Sequence, residues 1–508
     1  MAELDPSTTS ADYLEMIDSW AMIRHIRAGV QAVRDQGELY LPRHEAEADE
    51  VYENRLKSAP WRPEFEDALR SIIAKPFTKP VMLQGDTDER IKALAEDVDG
   101  KGHNLHVFAR EAFASGVSMG LHAIYVAFPD PGEELRTVAA EAESGVRPYW
   151  VHIMASDILA LYTKVVAGRE VIEHMRIRED AIVRDGWDEK LVERVRVLEL
   201  TPEGIPTSQL YEKNEAGDWS SGSVVQLIGP TSLPIVLYFT GERTGAYRVR
   251  PPLIDLAEMQ MEVYRALSRK DQVLTYAGFP MLKAVGQSMR VDAEGNVVLP
   301  IIGPNIVLYA PAGADGKATD WDFVQPDAAN IKEIRDDLDG LLRDFRRLSL
   351  QPSSPTSGSV TATGEAIHGA KSHSAIEAWA NDLKDVLEQA FVYTCEWLKI
   401  QPTVEVSVHT DFGVDIDGGQ DMAELTKARV AGEISRETYW DELARRGKLG
   451  PQFDPDDEEK RLQEEADATA ELDMTALQDD PLARPVRESM KVEHDEGGRI
   501  SRIVKEST

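Results

Sequence analysis

Residues 327–348 read DAANIKEIRDDLDGLLRDFRRL. Ile331, Ile334, Leu338, Leu341, Phe345 and Leu348 recur at alternating intervals of three and four. That spacing aligns their side chains along one side of an α-helix. Lys332, Glu333, Asp336, Asp337, Asp339, Arg343, Asp344, Arg346 and Arg347 occupy the remaining faces. So narrow an apolar seam suits a helix lying beside similar helices better than one sunk in a core. At about 1.5 Å per residue the helix is roughly 33 Å long.

Downstream the chain changes character. Residues 351–364 read QPSSPTSGSVTATG, a stretch with no charge, broken by Pro352, Pro355, Gly358 and Gly364. Helical spacing returns from Glu365 to Leu398 through Ile376, Trp379, Leu383, Val386, Leu387, Ala390, Thr394, Trp397 and Leu398, and Pro402 stops it. An uncharged Ser/Thr/Gly loop between long charged helices has two readings. It is a solvent linker, or it is held at a constriction where it touches something charged without gripping it.

Upstream, Pro251 and Pro252 open another helix, a favoured place for proline. Its apolar positions Leu253, Ile254, Leu256, Ala257, Met261, Tyr264, Leu267 and Leu274 carry it to about Ala277. Between the two helices the pattern predicts a small β module. Its strands are Met281–Val285, Ser288–Val291, Val297–Ile301, Asn305–Tyr309 and Asp320–Val324, with a turn from Asp292. Everything before Pro251 reads as one α+β region. Helices are expected over Ser10–Gln36, His44–Lys57, Phe65–Ile73 and Leu105–Ser115. Strands are expected over Leu121–Phe128, Arg147–Ile153, Glu173–Ile177, Arg194–Leu200, Ser208–Glu212, Val224–Ile228 and Ile235–Tyr238. Beyond the long second arm come a strand at Thr403–Val408 and a helical pair, Glu424–Ala431 and Arg436–Arg446, with Ser435 as cap. Residues 454–480 are intensely acidic and partly helical by pattern, and Pro481–Thr508 reads as a mobile tail.

The chain has 508 residues, a net charge of −34 and a pI near 4.7. A tight DNA binder is normally basic, because phosphate neutralisation by Lys and Arg supplies the affinity. This surface repels nucleic acid at long range, which serves either solubility or a path that nucleic acid must pass without sticking. Cys395 is the only cysteine, so no intramolecular disulfide, Cys-rich zinc site or CxxC redox motif exists. It reads as a small buried apolar residue. The beginning, MAELDPSTTSADY, lacks a basic stretch followed by an apolar run and reads as no secretion signal. No stretch nears the roughly 20 apolar residues that span a bilayer. The expected location is cytoplasm, or a particle built there.

Catalytic motifs fail on context. Gly116-Val117-Ser118-Met119-Gly120 matches GxSxG, but a helix precedes the serine and a strand follows, the reverse of a nucleophile elbow. Gly313-Ala314-Asp315-Gly316-Lys317-Ala318 is too short for a P-loop and lacks Ser or Thr after lysine. Asp97-Val98-Asp99-Gly100 and Asp415-Ile416-Asp417-Gly418 begin like calcium loops, yet Phe108 and Thr426 stand where the twelfth-position carboxylate belongs. His103 with His106, and His368 with His373, lack zinc-protease spacing. No catalytic residue, metal site or cofactor is expected, and any energy for transport must come from another chain.

The order of these parts resembles the portal proteins of tailed bacteriophages, the head–tail connectors. The similarity rests on Tyr40-Leu41-Pro42, Tyr52 with Arg55-Leu56, Asp97 to Gly102, Arg147-Pro148-Tyr149 and Pro251-Pro252-Leu253-Ile254-Asp255-Leu256-Ala257. It continues through Thr361-Ala362-Thr363, Ala370, Ser374-Ala375 and Trp397-Leu398, and spans about Leu39 to Arg446. Each motif is weak alone; their order is fairly specific.

The resemblance implies an α+β portal fold. Residues 1–250 form the wing, 251–277 and 326–350 the stem helices and 278–325 the clip. Residues 351–364 form the tunnel loop, 365–414 the long wing helix and strand, and 415–508 the crown with an acidic tail. It implies a ring, usually of twelve copies, at one capsid vertex of the virion, assembled in host cytoplasm. Double-stranded DNA passes through the channel without sequence specificity during packaging and ejection. The implied partners are the terminase large subunit, the head–tail adaptor and the major capsid protein, with scaffold as a further candidate; no membrane is involved. Ser353, Ser354, Thr356, Ser357, Gly358, Ser359, Thr361 and Thr363 would face DNA, and Arg290, Asp292, Glu294 and Asn296 would form the clip tip. Ile331, Ile334, Leu338, Leu341, Phe345 and Leu348 would pack the stems. The acidic extension after Arg446 departs from the pattern. Two alternatives remain: another structural virion protein, coat or adaptor, and an enzyme whose site no motif reveals.

Overall fold

A computed structural model describes residues 5–85, 87–129, 146–278, 281–285, 320–324, 328–349, 362–410, 420–445, 448–449, 453–455, 457–465, 489–494 and 500–506. The chain divides into two compact units, Met1–Gly413 and Val414–Thr508.

The first unit is mixed helix and sheet around one main core. Its opening helix, Ala11–Ala28, is capped by Ser10, whose hydroxyl accepts from the Tyr13 N–H, and buries Tyr13, Met16, Trp20, Ile23 and Ile26. The sequence pattern predicts one helix to Gln36. Instead Gly29, at φ 97°, ends it, and a short helix, Val30–Asp35, restarts the chain in a new direction. That left-handed backbone suits glycine alone without strain. The helix Leu105–Met119 runs one turn beyond expectation, because Gly116 to Met119 are buried, and stops at Gly120 with φ 80°. The strand Leu121–Ala127 follows, buried throughout, and forms the centre of a three-stranded antiparallel sheet between Ile235–Phe239 and Tyr149–Met154.

A larger antiparallel sheet runs in the order Trp219–Ser221, Pro206–Lys213, Arg194–Leu200, Arg169–Arg178, Ile158–Val166. Val225–Gln226 also pairs with Pro206–Lys213. The Ile158–Val166 strand escapes the sequence pattern because its buried half, Ile158 to Leu161, does not alternate. The hairpin Ala181–Asp185 with Asp188–Val192 escapes it too, although Asp185-Gly186 is a turn signal and Gly186 sits at φ 63°. Nearly every residue of that hairpin is exposed, so no apolar alternation marks it.

The helix Ile254–Gly278 leads out, the strands Met281–Val285 and Asp320–Val324 pair antiparallel, and the helix Ala328–Leu348 returns. The three strands expected between them lie outside the described residues. The 37-residue helix Ala362–Leu398 begins three residues earlier than its apolar pattern. It docks on the three-stranded sheet through Ile376, Leu383, Leu387, Phe391 and Cys395, all buried. Three tryptophans fix it: Trp150 Nε1 donates to Thr394 Oγ1 at 2.9 Å, Trp379 Nε1 to the Thr240 carbonyl at 3.0 Å, and Trp397 Nε1 to the Val126 carbonyl at 3.2 Å. After the helix, Glu405–Ser407 pairs with Met82–Gln84, a strand too short for its pattern to register.

In the second unit the helices Gln420–Val430 and Arg436–Arg445 flank Gly432, and Ser435 Oγ accepts from the Thr438 N–H at 3.0 Å. The end of the chain differs from expectation. Ser489–His494 and Ile500–Glu506 form a two-stranded hairpin where a mobile tail was predicted. The alternation in Met490-Lys491-Val492-Glu493 and the Gly497-Gly498 pair carry that signal; the high charge hides it.

Candidate functional site

The returning helix packs against the outgoing one through a small cluster of its own. Leu338 and Leu342 sit with Val263, Ala266 and Leu267, and Leu341 closes the edge. Ile331 and Ile334 lie further along, beside Val273 and Leu274. The pair is therefore antiparallel. Phe345, 1% exposed, belongs to the main core instead. Of the six seam residues, Leu338 and Phe345 are buried, Ile331, Ile334 and Leu341 are half-buried, and Leu348 is 48% exposed. Leu342, absent from the seam as read, is buried in the contact. Most of the seam thus faces the chain's own partner helix.

A brace ties this pair to the amino-terminal region, and it accounts for the Tyr40-Leu41-Pro42 and Tyr52…Arg55 motifs. Arg55 and Glu47 form a buried, two-pronged ion pair, with Arg55 Nε at 2.7 Å from Glu47 Oε1. Arg55 also donates to the Pro42 carbonyl at 2.9 Å, and Tyr52 to the Leu41 carbonyl at 3.1 Å. The Arg55 hydrogen bonds, with one from the His44 N–H, hold the Glu47 carboxyl down at about 2. Arg43 lies over the Tyr52 ring, 4.6 Å from its centre. From the outgoing helix, Arg265 Nε donates to the Tyr40 carbonyl at 2.9 Å. A cavity of about 420 Å³ opens here, lined among others by Arg43, Arg55, Glu262, Arg265, Arg269 and Asp337. Glu47 and Arg265 carry no motif; only folding brings them to this place.

The remaining described motifs make hydrogen bonds within the fold. Asp97 accepts from the Gly102 N–H at 2.8 Å and pairs with Arg147 at 2.6 Å. Asp99 accepts from the Lys101 N–H at 2.9 Å and meets His103 Nδ1 at 2.8 Å. The loop is thus folded on its own backbone. Among the described residues no cluster of His, Cys, Asp or Glu could hold a metal ion. Ser118 is fully buried inside a helix, donates to the Ala114 carbonyl at 2.8 Å and accepts from Arg27 at 3.0 Å. His106 Nδ1 accepts from the Val81 N–H at 3.2 Å. Burial pushes the Cys395 thiol up to about 11. The buried His122 and the half-buried His152 share a 3.0 Å hydrogen bond, and Phe108 stacks on His152 at 3.7 Å.

Other expected sites fall elsewhere. Thr363 lies in the first turn of the helix Ala362–Leu398. Ser353, Ser354, Thr356, Ser357, Gly358, Ser359 and Thr361, and Arg290, Asp292, Glu294 and Asn296, lie outside the described residues, as do Gly313 to Ala318 and Asp415 to Gly418. No described helix is long and apolar enough to cross a membrane.

Residues 252–398 match a family described as a domain of unknown function, DUF4055. No curated protein matches the chain. Among solved structures, a chain of the virion of a native gene transfer agent particle aligns at 12% identity and TM-score 0.39, over 79% of this chain and 96% of that one. A chain from the neck of the native particle, computed with C12 symmetry, aligns at 12% identity and TM-score 0.40, over 74% and 88%. One from the neck of the empty particle, with C6 symmetry, aligns at 11% identity and TM-score 0.41, over 74% and 88%.

Proposed function

We propose that this chain is a portal-type protein, assembling as a ring whose axial channel passes double-stranded DNA. One observation carries the reading. An antiparallel pair of long helices is joined by a β module and followed by a 37-residue helix, in the order that the sequence motifs imply. In such a ring Ile254–Gly278 and Ala328–Leu348 are the stem, and residues 278–325 are the clip. The clip would dock the terminase large subunit and later the head–tail adaptor. The uncharged residues 351–361 would line the narrowest point. A net charge of −34 suits a wall that DNA must slide past, since a basic lining would hold phosphates with steep salt dependence. The major capsid protein would surround the ring at one vertex.

Native mass spectrometry with negative-stain imaging of the purified full chain tests this. A closed ring with an axial hole is expected. A chain that stays monomeric at high concentration would overturn the reading. Deleting Arg290 to Asn296 should leave rings intact and abolish packaging; normal packaging would remove the clip from the docking role.

A further inference from the structure

The returning helix, Ala328–Leu348, carries charges that no other described residue answers with an ion pair. Elsewhere in the first unit some exposed arginines pair locally, as Arg90 does with Asp88, Arg250 with Asp255 and Arg243 with Glu170, and others, such as Arg24, Arg62 and Arg169, stand without an ion pair to a described residue. On this helix Lys332, Glu333, Arg335, Asp336, Asp337, Asp339, Arg343, Asp344, Arg346 and Arg347 are all exposed. None forms an ion pair with another described residue. Arg343 only donates to the Asp339 carbonyl, at 3.2 Å.

Their arrangement is not random. With about 100° of turn per residue, and the buried Leu338, Leu342 and Phe345 as the inner face, the helix has two flanks. One carries Glu333, Asp337 and Asp344. The other carries Lys332, Arg335, Arg343 and Arg346, interrupted by Asp339. Asp336 and Arg347 lie on the outer ridge. Each acid is within two residues of a base in sequence, so each pair sits within about 3 Å of the same height along the axis. On the outgoing helix, Lys270 adjoins Arg335 at the basic flank. Glu262, Arg265 and Arg269 adjoin Asp337 at the acidic one. Arg265 donates to the Tyr40 carbonyl and keeps its charge, so Glu262, Arg265 and Arg269 leave one net positive charge beside Asp337, while Glu333 and Asp344 on the same flank have no base from that helix at this cavity.

We infer that this helix is a two-flanked interaction surface for a second copy of the same chain, its acidic flank meeting the basic flank of the next. Rotation about an axis parallel to the helix sets one flank against the other at equal height, and a closing rotation repeats the contact round a ring. A two-fold dimer through either flank would set like charge against like. The charge pattern thus selects head-to-tail association and disfavours the dimer. This inference rests on the ring reading proposed above, and supplies its partner surface and its specificity.

The test uses full-length chains with paired reversals at exposed positions. Arg343→Glu with Arg346→Glu makes both flanks acidic; Asp337→Lys with Asp344→Lys makes both basic. Each variant alone should lose rings, by about tenfold or more at low salt. An equimolar mixture should recover them, as assemblies with equal numbers of the two chains by native mass. Circular dichroism on each monomer checks the fold. Independently of the variants, wild-type rings should weaken as salt rises from low to about molar, where the Debye length is about 3 Å. Rings that ignore both reversals and salt would overturn the flank inference and leave the ring reading standing. A wild-type chain that never forms rings would overturn both.

Discussion

Arg265 Nε donates to the carbonyl of Tyr40 at 2.9 Å, joining a long helix to a segment 225 residues earlier in the chain. The same segment is gripped from its other side by Arg55, through the Pro42 carbonyl, and Arg55 is itself held by Glu47. The brace fixes where the helix pair leaves the amino-terminal region, and so where its charged flanks point.

Removing one half of the buried ion pair strands the other. Arg55→Ala or Glu47→Ala should destabilise the first unit by about 3–5 kcal/mol, read as a fall in Tm. The double variant Arg55→Met with Glu47→Leu should cost less than either single change, because no charge is left unpaired. The folded Glu47 carboxyl, at about 2, lies below its ordinary value of 4.5. Its contribution is therefore complete above about pH 4.5 and lost as pH falls toward 2. Glu47→Gln should flatten that part of the stability–pH curve.

His122 and His152 act in a higher window. Burial and the nearby His152 push His122 well below its ordinary value, and burial pushes His152 down to about 4. Ser115 Oγ lies 3.0 Å from His122, and Glu111 lies 3.5 Å from His152. Asp99 favours the charged form of His152; Lys101 and His103 oppose it. A depressed histidine binds its proton more readily when unfolded, so stability is lost as pH falls from about 6.5 toward 4. The combined variant His122→Gln with His152→Phe should reduce that loss in denaturant titrations at pH 7 and pH 5.

Gly116 sits under the Tyr238 ring. A Cβ there would lie 2.4 Å from a ring carbon. Tyr238 is fully buried and donates to the Trp379 carbonyl at 2.9 Å, so the ring has little room to move. Gly116→Ala should cost about 1–3 kcal/mol. Ser118→Ala should leave any hydrolytic background unchanged, which a chromogenic ester assay would check.

Leu338 is 2% exposed between the two helices. Leu338→Asp should therefore loosen the helix pair within each chain by several kcal/mol, lowering Tm before any assembly is reached. Leu348, half open to solvent, is the better probe of contacts between copies. Leu348→Asp should leave the free energy of unfolding within about 0.5 kcal/mol of wild type while changing the ring population, compared by native mass spectrometry.

The uncharged residues 351–361 carry the last prediction. Neutral hydroxyls make brief hydrogen bonds to phosphate, whereas lysines make charge-assisted ones, roughly twice as strong. Ser357→Lys with Ser359→Lys should preserve assembly and slow DNA passage, with relief by added salt. Single-particle packaging velocity against ionic strength decides it; equal velocities at low salt would take the loop off the DNA path.

What the sequence determined by itself were the elements with strong local periodicity. The helix Ala328–Leu348 and the strands Arg194–Leu200 and Asp320–Val324 fall within a residue of their expected bounds, and the helix Ile254–Gly278 begins three residues after Pro251 and ends one after Ala277. In each, the apolar spacing and the flanking turns agree on one backbone. Tertiary structure decided what periodicity cannot encode. Gly29 splits a helix because the chain turns there through a positive φ that glycine accommodates. Met82–Gln84 is a strand only because Glu405–Ser407 arrives to pair with it. Leu342 and Leu348 look alike in sequence, yet one is buried and the other exposed, because the partner helix covers only part of the apolar arc. Glu47 and Arg265 acquire roles from groups far along the chain, and charge burial and carbonyl capture are set by three-dimensional proximity, which no local pattern records.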